Sequence, residues 1–133
     1  METNKKRSKS ILWTSYILQG LLVVMLSLGA FNNLLQTEMA VKGAVEMGYP
    51  ESAVFYLGIV LSLAVVLYAI PRTMLLGGLL LTAWLGGAVA THLIHRDAAP
   101  LTIAPIVFGA LVWVSIILRN ENVGRLFFGK KTA

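Results

Sequence analysis

The sequence predicts an all-α integral membrane protein, an antiparallel four-helix bundle with its N and C termini in the cytoplasm. Two observations carry this prediction: a mean hydropathy of +0.78 and four apolar runs, each near the roughly 20 residues that cross a membrane as a helix. Only 13% of the residues are charged, against about 25% in soluble domains. We expect one domain, residues 1–133, with helices at about 11–35, 52–70, 73–93 and 101–118.

Lys and Arg residues are distributed unequally between the two sides of the predicted bundle. With a cytoplasmic N terminus, nine face the cytoplasm, while Lys42 and Arg96 lie outside, which is a strong positive-inside bias. The nine are Lys5, Lys6, Arg7, Lys9, Arg72, Arg119, Arg125, Lys130 and Lys131. Because these charges lie in tails and a turn, we expect them to meet the lipid bilayer, and no nucleic acid partner is predicted.

The first predicted helix follows a basic segment and therefore also resembles a cleavable signal peptide. Its apolar run reaches about 20 residues, whereas a signal core has about 7 to 15, so we expect it to be retained. Gln19 is its deepest strongly polar side chain. An interhelical hydrogen bond is the favoured role for Gln19, and a substrate ligand is the alternative.

The connection at 37–50 shows helical periodicity. Glu38, Lys42 and Glu46 recur every four residues, which predicts a short amphipathic helix ended by Gly48. A solvated ordered loop is the alternative. Pro50 suits the first turn of the second long helix.

Prolines separate the later helices. Pro71 cannot continue a helical hydrogen-bond ladder, so residues 70–73, Ile-Pro-Arg-Thr, predict a tight antiparallel hairpin. Arg72 at its tip is expected to reach phosphate headgroups, with a ligand role as the alternative. Pro100 is expected to break the chain before the fourth helix. Pro105 should kink that helix or lie where neighbours satisfy the freed carbonyl.

Small residues recur every four positions along the third predicted helix, at Gly78, Thr82, Gly86 and Ala90. Such a face allows helix backbones to approach closely in lipid, within one bundle or between two copies. Gly77-Gly78 and Gly86-Gly87 follow no strand, so we interpret them as packing glycines rather than a nucleotide-binding loop.

The composition and the residue pattern argue against several kinds of chemistry. The absence of cysteine excludes disulfides, thiol redox relays, iron–sulfur clusters and covalent c-type haem. No ionisable residue lies near the middle of a predicted span, which counts against a proton-coupled pump. No nucleophile elbow or carboxylate pair is present, so no catalytic residue is assigned; an enzyme stays open as the less favoured alternative.

Polar residues gather at the predicted outer ends of the first and third helices. Antiparallel packing brings these ends to one membrane face, where they would line an outward-opening pocket. The residues are Asn32, Asn33, Gln36, Glu38, Thr91, His92, His95, Arg96 and Asp97. The candidate ligand-binding set among them is His92, Thr91, Asn32 and Glu38.

His92 and His95 share a helical face, which is compatible with one metal ion and Glu38 or Asp97 as a third ligand. Two histidines are a weak signal, and axial haem ligands normally come from facing helices. Hydrogen bonding is therefore the favoured role, and no metal site is predicted. A quinone site would rest on His92 or on a nearby Asn, Tyr or Trp; the aromatic candidates are Tyr68, Trp84 and Trp113.

Several segments of the chain form a set of motifs: Met47-Gly48-Tyr49-Pro50, Leu57-Gly58, Leu67-Tyr68-Ala69-Ile70-Pro71-Arg72-Thr73, Leu85-Gly86-Gly87-Ala88-Val89-Ala90-Thr91-His92, Pro105, Trp113 and Leu118-Arg119. Together these segments resemble the DoxX-like family of small four-helix bacterial membrane proteins. The similarity runs from about Met47 to Arg119, while the first helix fits only in position and length. The matched polar positions are Tyr68, Arg72, Thr91 and His92.

This resemblance implies a multi-pass protein of the bacterial inner (plasma) membrane. It implies activity only loosely, since the family is named after a subunit associated with a quinol oxidase and thiosulfate oxidation. Our first hypothesis is an accessory or quinone-binding subunit of a membrane redox system, with no intrinsic cofactor and a redox partner or a second copy. The alternative is a small exporter or permeability factor for hydrophobic compounds, which an open dimer interface along Gly78, Thr82 and Gly86 would favour.

Overall fold

The computed structural model describes residues 6–129, and every regular element within that range is an α-helix. The helices are α1 Lys9–Leu34, α2 Glu38–Glu46, α3 Ala53–Ala69, α4 Met74–His95, α5 Ala99–Arg119 and α6 Glu121–Phe128. Three residues of the predicted charge bias, Lys5, Lys130 and Lys131, lie outside the described residues.

Helices α1, α3, α4 and α5 occupy the four apolar runs of the sequence. Helices α1, α4 and α5, with 26, 22 and 21 residues, are long and apolar enough to cross a membrane. Helix α3 has 17 residues and is therefore about 25 Å long, somewhat shorter than a hydrocarbon core of about 30 Å.

The four long helices pack side by side. Helix α1 contacts α3 and α5, and α4 contacts the same two helices, so α1 and α4 lie diagonally opposite each other. The space between the helices is filled by large side chains with at most 2% exposure: Leu22, Leu61, Tyr68, Leu81, Val112 and Ile116.

Hydrogen bonds between distant parts of the chain define two ends of the molecule. The Arg7 guanidinium donates to the backbone oxygen of Leu118 at 2.6 Å, so the start of α1 lies beside the end of α5. The α3–α4 turn lies at this end too, which we call the Arg72 end. At the opposite end, Tyr49 and Thr91 join the α2–α3 connection to α4, and we call it the His92 end.

The turn at Pro71 frees two carbonyl groups of α3, and side chains satisfy both. Pro71 has no N–H for the carbonyl of Leu67, and the Thr73 hydroxyl donates to that oxygen instead, at 2.8 Å. The carbonyl of Tyr68 accepts from Nε2 of Gln19 in α1 at 2.7 Å. The prediction that Gln19 makes an interhelical hydrogen bond is therefore confirmed.

Glycines allow close helix contact at three places. A Cβ added to Gly77 would lie 2.1 Å from the backbone nitrogen of Tyr68, and one on Gly58 would lie 2.7 Å from the backbone nitrogen of Leu34. A Cβ on Gly78 would lie 2.5 Å from Cδ1 of Ile116. Gly86 and Gly87 behave differently, because a Cβ on either meets nothing within 4 Å among the described residues.

The shorter elements agree with the sequence predictions only in part. The amphipathic helix predicted for 37–50 is confirmed as α2, with the Thr37 hydroxyl accepting from the amide of Ala40. Helix α3 begins at Ala53, so Pro50 lies just outside its first turn.

The prediction that Pro100 precedes the fourth helix is wrong. Helix α5 begins at Ala99, and Pro100 lies in its first turn, where an N–H would have no intrahelical acceptor. Pro105 is buried inside the same helix.

Helix α6 was not predicted. Asn120 caps its first turn, and Arg125 pairs with Glu121 at 3.1 Å.

Candidate functional site

The outer surface of the four long helices is apolar, and a few polar side chains are buried among the apolar ones between the helices. Ser15 and Ser115 are completely buried and Gln19 is 6% exposed, whereas Leu21, Leu28 and many similar side chains are about 60% exposed. Soluble monomers rarely expose continuous apolar surface on this scale. The arrangement suits a lipid environment, in which the outer surface meets hydrocarbon and polar groups find partners between helices.

The buried polar side chains form one network between α1, α3 and α5. Ser15 donates to the backbone oxygen of Ser115 at 2.7 Å, and the Ser115 hydroxyl donates to the backbone oxygen of Val112 at 2.8 Å. The Tyr68 hydroxyl therefore donates to the oxygen of Ser115. These hydroxyls link the helices to one another. Tyr68, which the sequence analysis named as a candidate for quinone binding, has its hydroxyl engaged in this network.

The strongest polar cluster at the His92 end is formed by His92, His95 and Asp97. Nδ1 of His92 lies 2.7 Å from Oδ2 of Asp97, and Nδ1 of His95 lies 2.8 Å from Oδ1. His92 and Asp97 are each 16% exposed through their side chains, and His95 is 46% exposed. Hydrogen bonds from His95 and then from His92 hold the pKa of the Asp97 carboxyl below its ordinary value.

The end of α4 positions this cluster. Arg96 adopts a left-handed conformation with φ of 59°, and the amide of Asp97 bonds back to the carbonyl of His92 at 3.0 Å. This turn directs the Asp97 carboxylate onto both histidines of the last helical turn. The sequence placed the three residues near one another but did not reveal the shared carboxylate.

Thr91 is fixed by Tyr49, which the sequence indicated only as part of a family motif. The Thr91 hydroxyl donates to the carbonyl of Gly87 at 2.9 Å and lies 2.6 Å from the hydroxyl of Tyr49, which is therefore the donor of the second bond. Tyr49 follows Gly48, whose φ of 87° turns the chain after α2. Thr91 thus connects α4 to the α2–α3 connection.

Asn32 and Glu38 are not brought into contact with His92. Asn32 donates to the carbonyl of Leu28 at 3.0 Å and accepts from Thr37 at 3.3 Å, so it stabilises the end of α1. Glu38 is exposed at the start of α2. Within the described helices, no Cα atom of α1 or α2 lies within 8 Å of one in α4.

The described part of the chain contains no set of ligands for a metal ion. No group of three or more His, Cys, Asp or Glu side chains in residues 6–129 is arranged to hold a metal ion. His92 and His95 turn their Nδ1 atoms toward one carboxylate. This geometry corresponds to a hydrogen-bonded cluster.

The tryptophan candidates have different surroundings. Trp113 donates to the Thr82 hydroxyl at 2.8 Å and packs against the ring of Phe127 in α6, with centroids 5.3 Å apart. Nε1 of Trp84 is buried and has no hydrogen-bond partner among residues 6–129.

A second candidate site lies at the Arg72 end and was missed by the sequence analysis. A cavity of about 880 Å³ opens between the α3–α4 turn, the start of α1, the end of α5 and α6. Arg72 lines it together with Arg7 and Arg119. The clustering of basic residues in the sequence was a signal for this site, but it indicated only attraction to a membrane surface.

The apolar exterior, the buried polar network and the three span-length helices define a helical membrane protein. Residues 17–115 match the DoxX-like family, and since this match covers most of the chain, the protein belongs to that family. The match includes most of α1, which the sequence analysis related to the family only by position and length. Searches of curated proteins and of solved structures each returned no match.

Proposed function

We propose that this protein is a non-catalytic accessory subunit of a membrane redox system and binds a quinone-like molecule beside His92. The proposed form is a four-helix bundle that crosses the bacterial inner membrane four times. Its N and C termini, and with them the Arg72 end, face the cytoplasm. The positive-inside distribution supports this orientation, because Arg7, Arg72 and Arg119 all lie at one end.

The observation that carries the proposal is the contact between His92 and Asp97. A carboxylate that accepts from Nδ1–H fixes the tautomer of the ring. Nε2 of His92 then donates to a quinone carbonyl when it is protonated, and accepts from a quinol hydroxyl when it is neutral. One side chain thus recognises both oxidation states of the ligand.

The surroundings of His92 suit an amphipathic ligand that arrives from the bilayer. Leu93 and Ile94 next to it are 62% and 84% exposed, so apolar surface adjoins the polar cluster. A quinone ring would meet His92 while its isoprenoid tail lies along this surface. Such a ligand needs no passage through the packed interior.

The hydrogen bonds of the buried polar groups support a non-catalytic role. The hydroxyls of Ser15, Tyr68 and Ser115 and the amide of Gln19 are engaged in hydrogen bonds between helices. Activation of a hydroxyl nucleophile requires an adjacent base, and none contacts these hydroxyls in the described residues.

A direct test is native mass spectrometry of the protein purified gently from its own membrane, since mass reports bound quinone and partner chains together. A bound quinone or a copurifying oxidoreductase would support the proposal. A monomer or homodimer that carries only lipid would contradict it and would favour the exporter alternative, to be followed by compound-accumulation assays in cells.

A titration then tests the site. Addition of a short-chain quinone should quench tryptophan fluorescence and raise the thermal unfolding midpoint of the wild type, and His92→Ala should abolish both effects. His95→Ala is the matched control, because it removes the other histidine on the same carboxylate and leaves His92 in place. Equal responses of the two variants would exclude His92 as the ligand residue.

A further inference from the structure

The cavity at the Arg72 end concentrates positive charge. Three separate parts of the chain contribute to it: the start of α1, the α3–α4 turn, and the end of α5 with α6. Its charged lining consists of five basic side chains and one acidic one: Lys6, Arg7, Arg72, Arg119, Arg125 and Glu121. Folding therefore brings together like charges that are far apart in the sequence, an arrangement that an anion would stabilise.

Arg119 is the most constrained member of this group. Its guanidinium lies 3.9 Å from the centre of the Tyr16 ring, and Nη1 lies 3.5 Å from the sulfur of Met74. Nε and Nη2 are shielded from solvent and have no acceptor among residues 6–129. A guanidinium without acceptors is costly to desolvate, whereas phosphate oxygens would match its fork of donors.

The acidic side chain in the lining does not neutralise Arg119. Glu121 pairs with Arg125 one helical turn later, at 3.1 Å. Arg7 is held in place by its bond to the carbonyl of Leu118. Among residues 6–129, Arg7, Arg72 and Arg119 therefore have no carboxylate partner.

The cavity also has an apolar side, which continues onto the outer surface of α1. Leu12 lines it and also lines an adjoining groove of about 520 Å³, which includes Trp13 and Tyr16 of α1. Trp13 is 66% and Tyr16 53% exposed, as is typical of aromatic residues at the headgroup level. A ligand with an anionic head and an apolar chain would fit both parts.

We propose that this cavity binds the phosphate headgroup of an anionic phospholipid, with an acyl chain along the outer surface of α1. The cavity concentrates several basic side chains, so cardiolipin, with two phosphates, should bind more tightly than phosphatidylglycerol, with one. The proposal is independent of any ligand at His92. Basic pockets between membrane helices are known to select such headgroups.

The test uses the full chain in nanodiscs of phosphatidylcholine, alone or mixed with phosphatidylglycerol or cardiolipin. Native mass spectrometry reports the retained lipid, and thermal unfolding reports the stabilisation. We expect retention and a raised midpoint with cardiolipin, less with phosphatidylglycerol, and neither with phosphatidylcholine. Inorganic phosphate added to phosphatidylcholine discs should have no effect; an equal rise in the midpoint would assign the cavity to a soluble anion and overturn the lipid proposal.

Substitutions of single arginines test whether the lipid binds in this cavity. Arg72→Gln and Arg119→Gln should each weaken cardiolipin retention about fivefold, the value expected for loss of one basic residue near a membrane surface. Arg96→Gln, at the His92 end, is the matched control and should retain wild-type binding. Arg72 is exposed in a turn, so its variant keeps the test valid even if Arg119→Gln fails to fold. Equal retention by Arg72→Gln and Arg96→Gln would refute the proposal.

Discussion

Helix α4 carries two glycine pairs that look alike in the sequence and have different surroundings in the structure, which gives a sharp test of the packing. A Cβ at Gly77 would lie 2.1 Å from the backbone nitrogen and 2.4 Å from Cα of Tyr68. A Cβ at Gly86 meets nothing within 4 Å of the described chain. Gly77→Ala and Gly86→Ala therefore make the same chemical change with opposite expected effects.

The expected changes in the free energy of unfolding follow from the atoms that each added methyl group would contact. At Gly77 the obstacle is backbone, so α3 and α4 must move apart, and we expect a loss of about 3 kcal/mol, the upper end for overpacking. At Gly86 alanine only reduces the freedom of the unfolded chain, which should stabilise by about 0.5–1 kcal/mol. Gly78→Ala should fall between them, because its obstacle, Cδ1 of Ile116, is the end of a flexible side chain.

The assay is reversible unfolding in mixed micelles, followed by circular dichroism for the wild type and the three alanine variants. We expect the order Gly77→Ala, Gly78→Ala, wild type, Gly86→Ala from least to most stable. Equal effects at Gly77 and Gly86 would refute the assigned contact between α3 and α4. A large loss at Gly86 alone would instead reveal a second copy packed against the open part of α4, which would favour the exporter hypothesis.

Three further predictions concern the turns that end the helices. Thr73→Val should destabilise the protein by about 1 kcal/mol in the same micelle assay, because the carbonyl of Leu67 loses its donor; Thr14→Val, on an exposed hydroxyl, is the control and should have little effect. Arg96→Gly should raise stability by about 1 kcal/mol, since glycine adopts φ of 59° without steric cost; an unchanged or lower value would contradict the left-handed turn. The pKa of Asp97 is lowered from 3.8, so the stability that its carboxylate contributes should be present above about pH 4 and disappear as pH falls below that value; Asp97→Asn should remove this pH dependence.

Local sequence signals predicted local structure well. The four-residue spacing of Glu38, Lys42 and Glu46 indicated α2, and Pro71 indicated the hairpin, because helix periodicity and the missing proline N–H act within a few residues. Helix α6 was missed for a different reason: the basic residues that follow α5 were interpreted as a tail that meets lipid. The cap at Asn120 and the spacing of Glu121 and Arg125 were signals that could have revealed it.

The residues of the candidate site come together only if their helices are neighbours. No short segment of the sequence shows which helices are neighbours. The sequence predicted that the outer ends of the first and third long helices lie at one face, with Asn32 and Glu38 beside His92. In the structure α1 and α4 are diagonal, so these residues are separated although their helix ends share a face. The His92–Asp97 contact depends on a left-handed Arg96, a conformation for which the sequence offers no glycine as a signal.

The packed interior bears on the choice between the two proposed functions. Leu61, Tyr68, Leu81 and Val112 fill the space between the four long helices and are at most 1% exposed. A transport route through one copy would require these helices to separate and the network at Ser115 to break. A ligand that reaches His92 from the bilayer requires neither change, and an exporter would therefore need a route between two copies. The accessory-subunit proposal thus demands less rearrangement of this chain, and the response of Gly86→Ala tests for the second copy that an exporter would need.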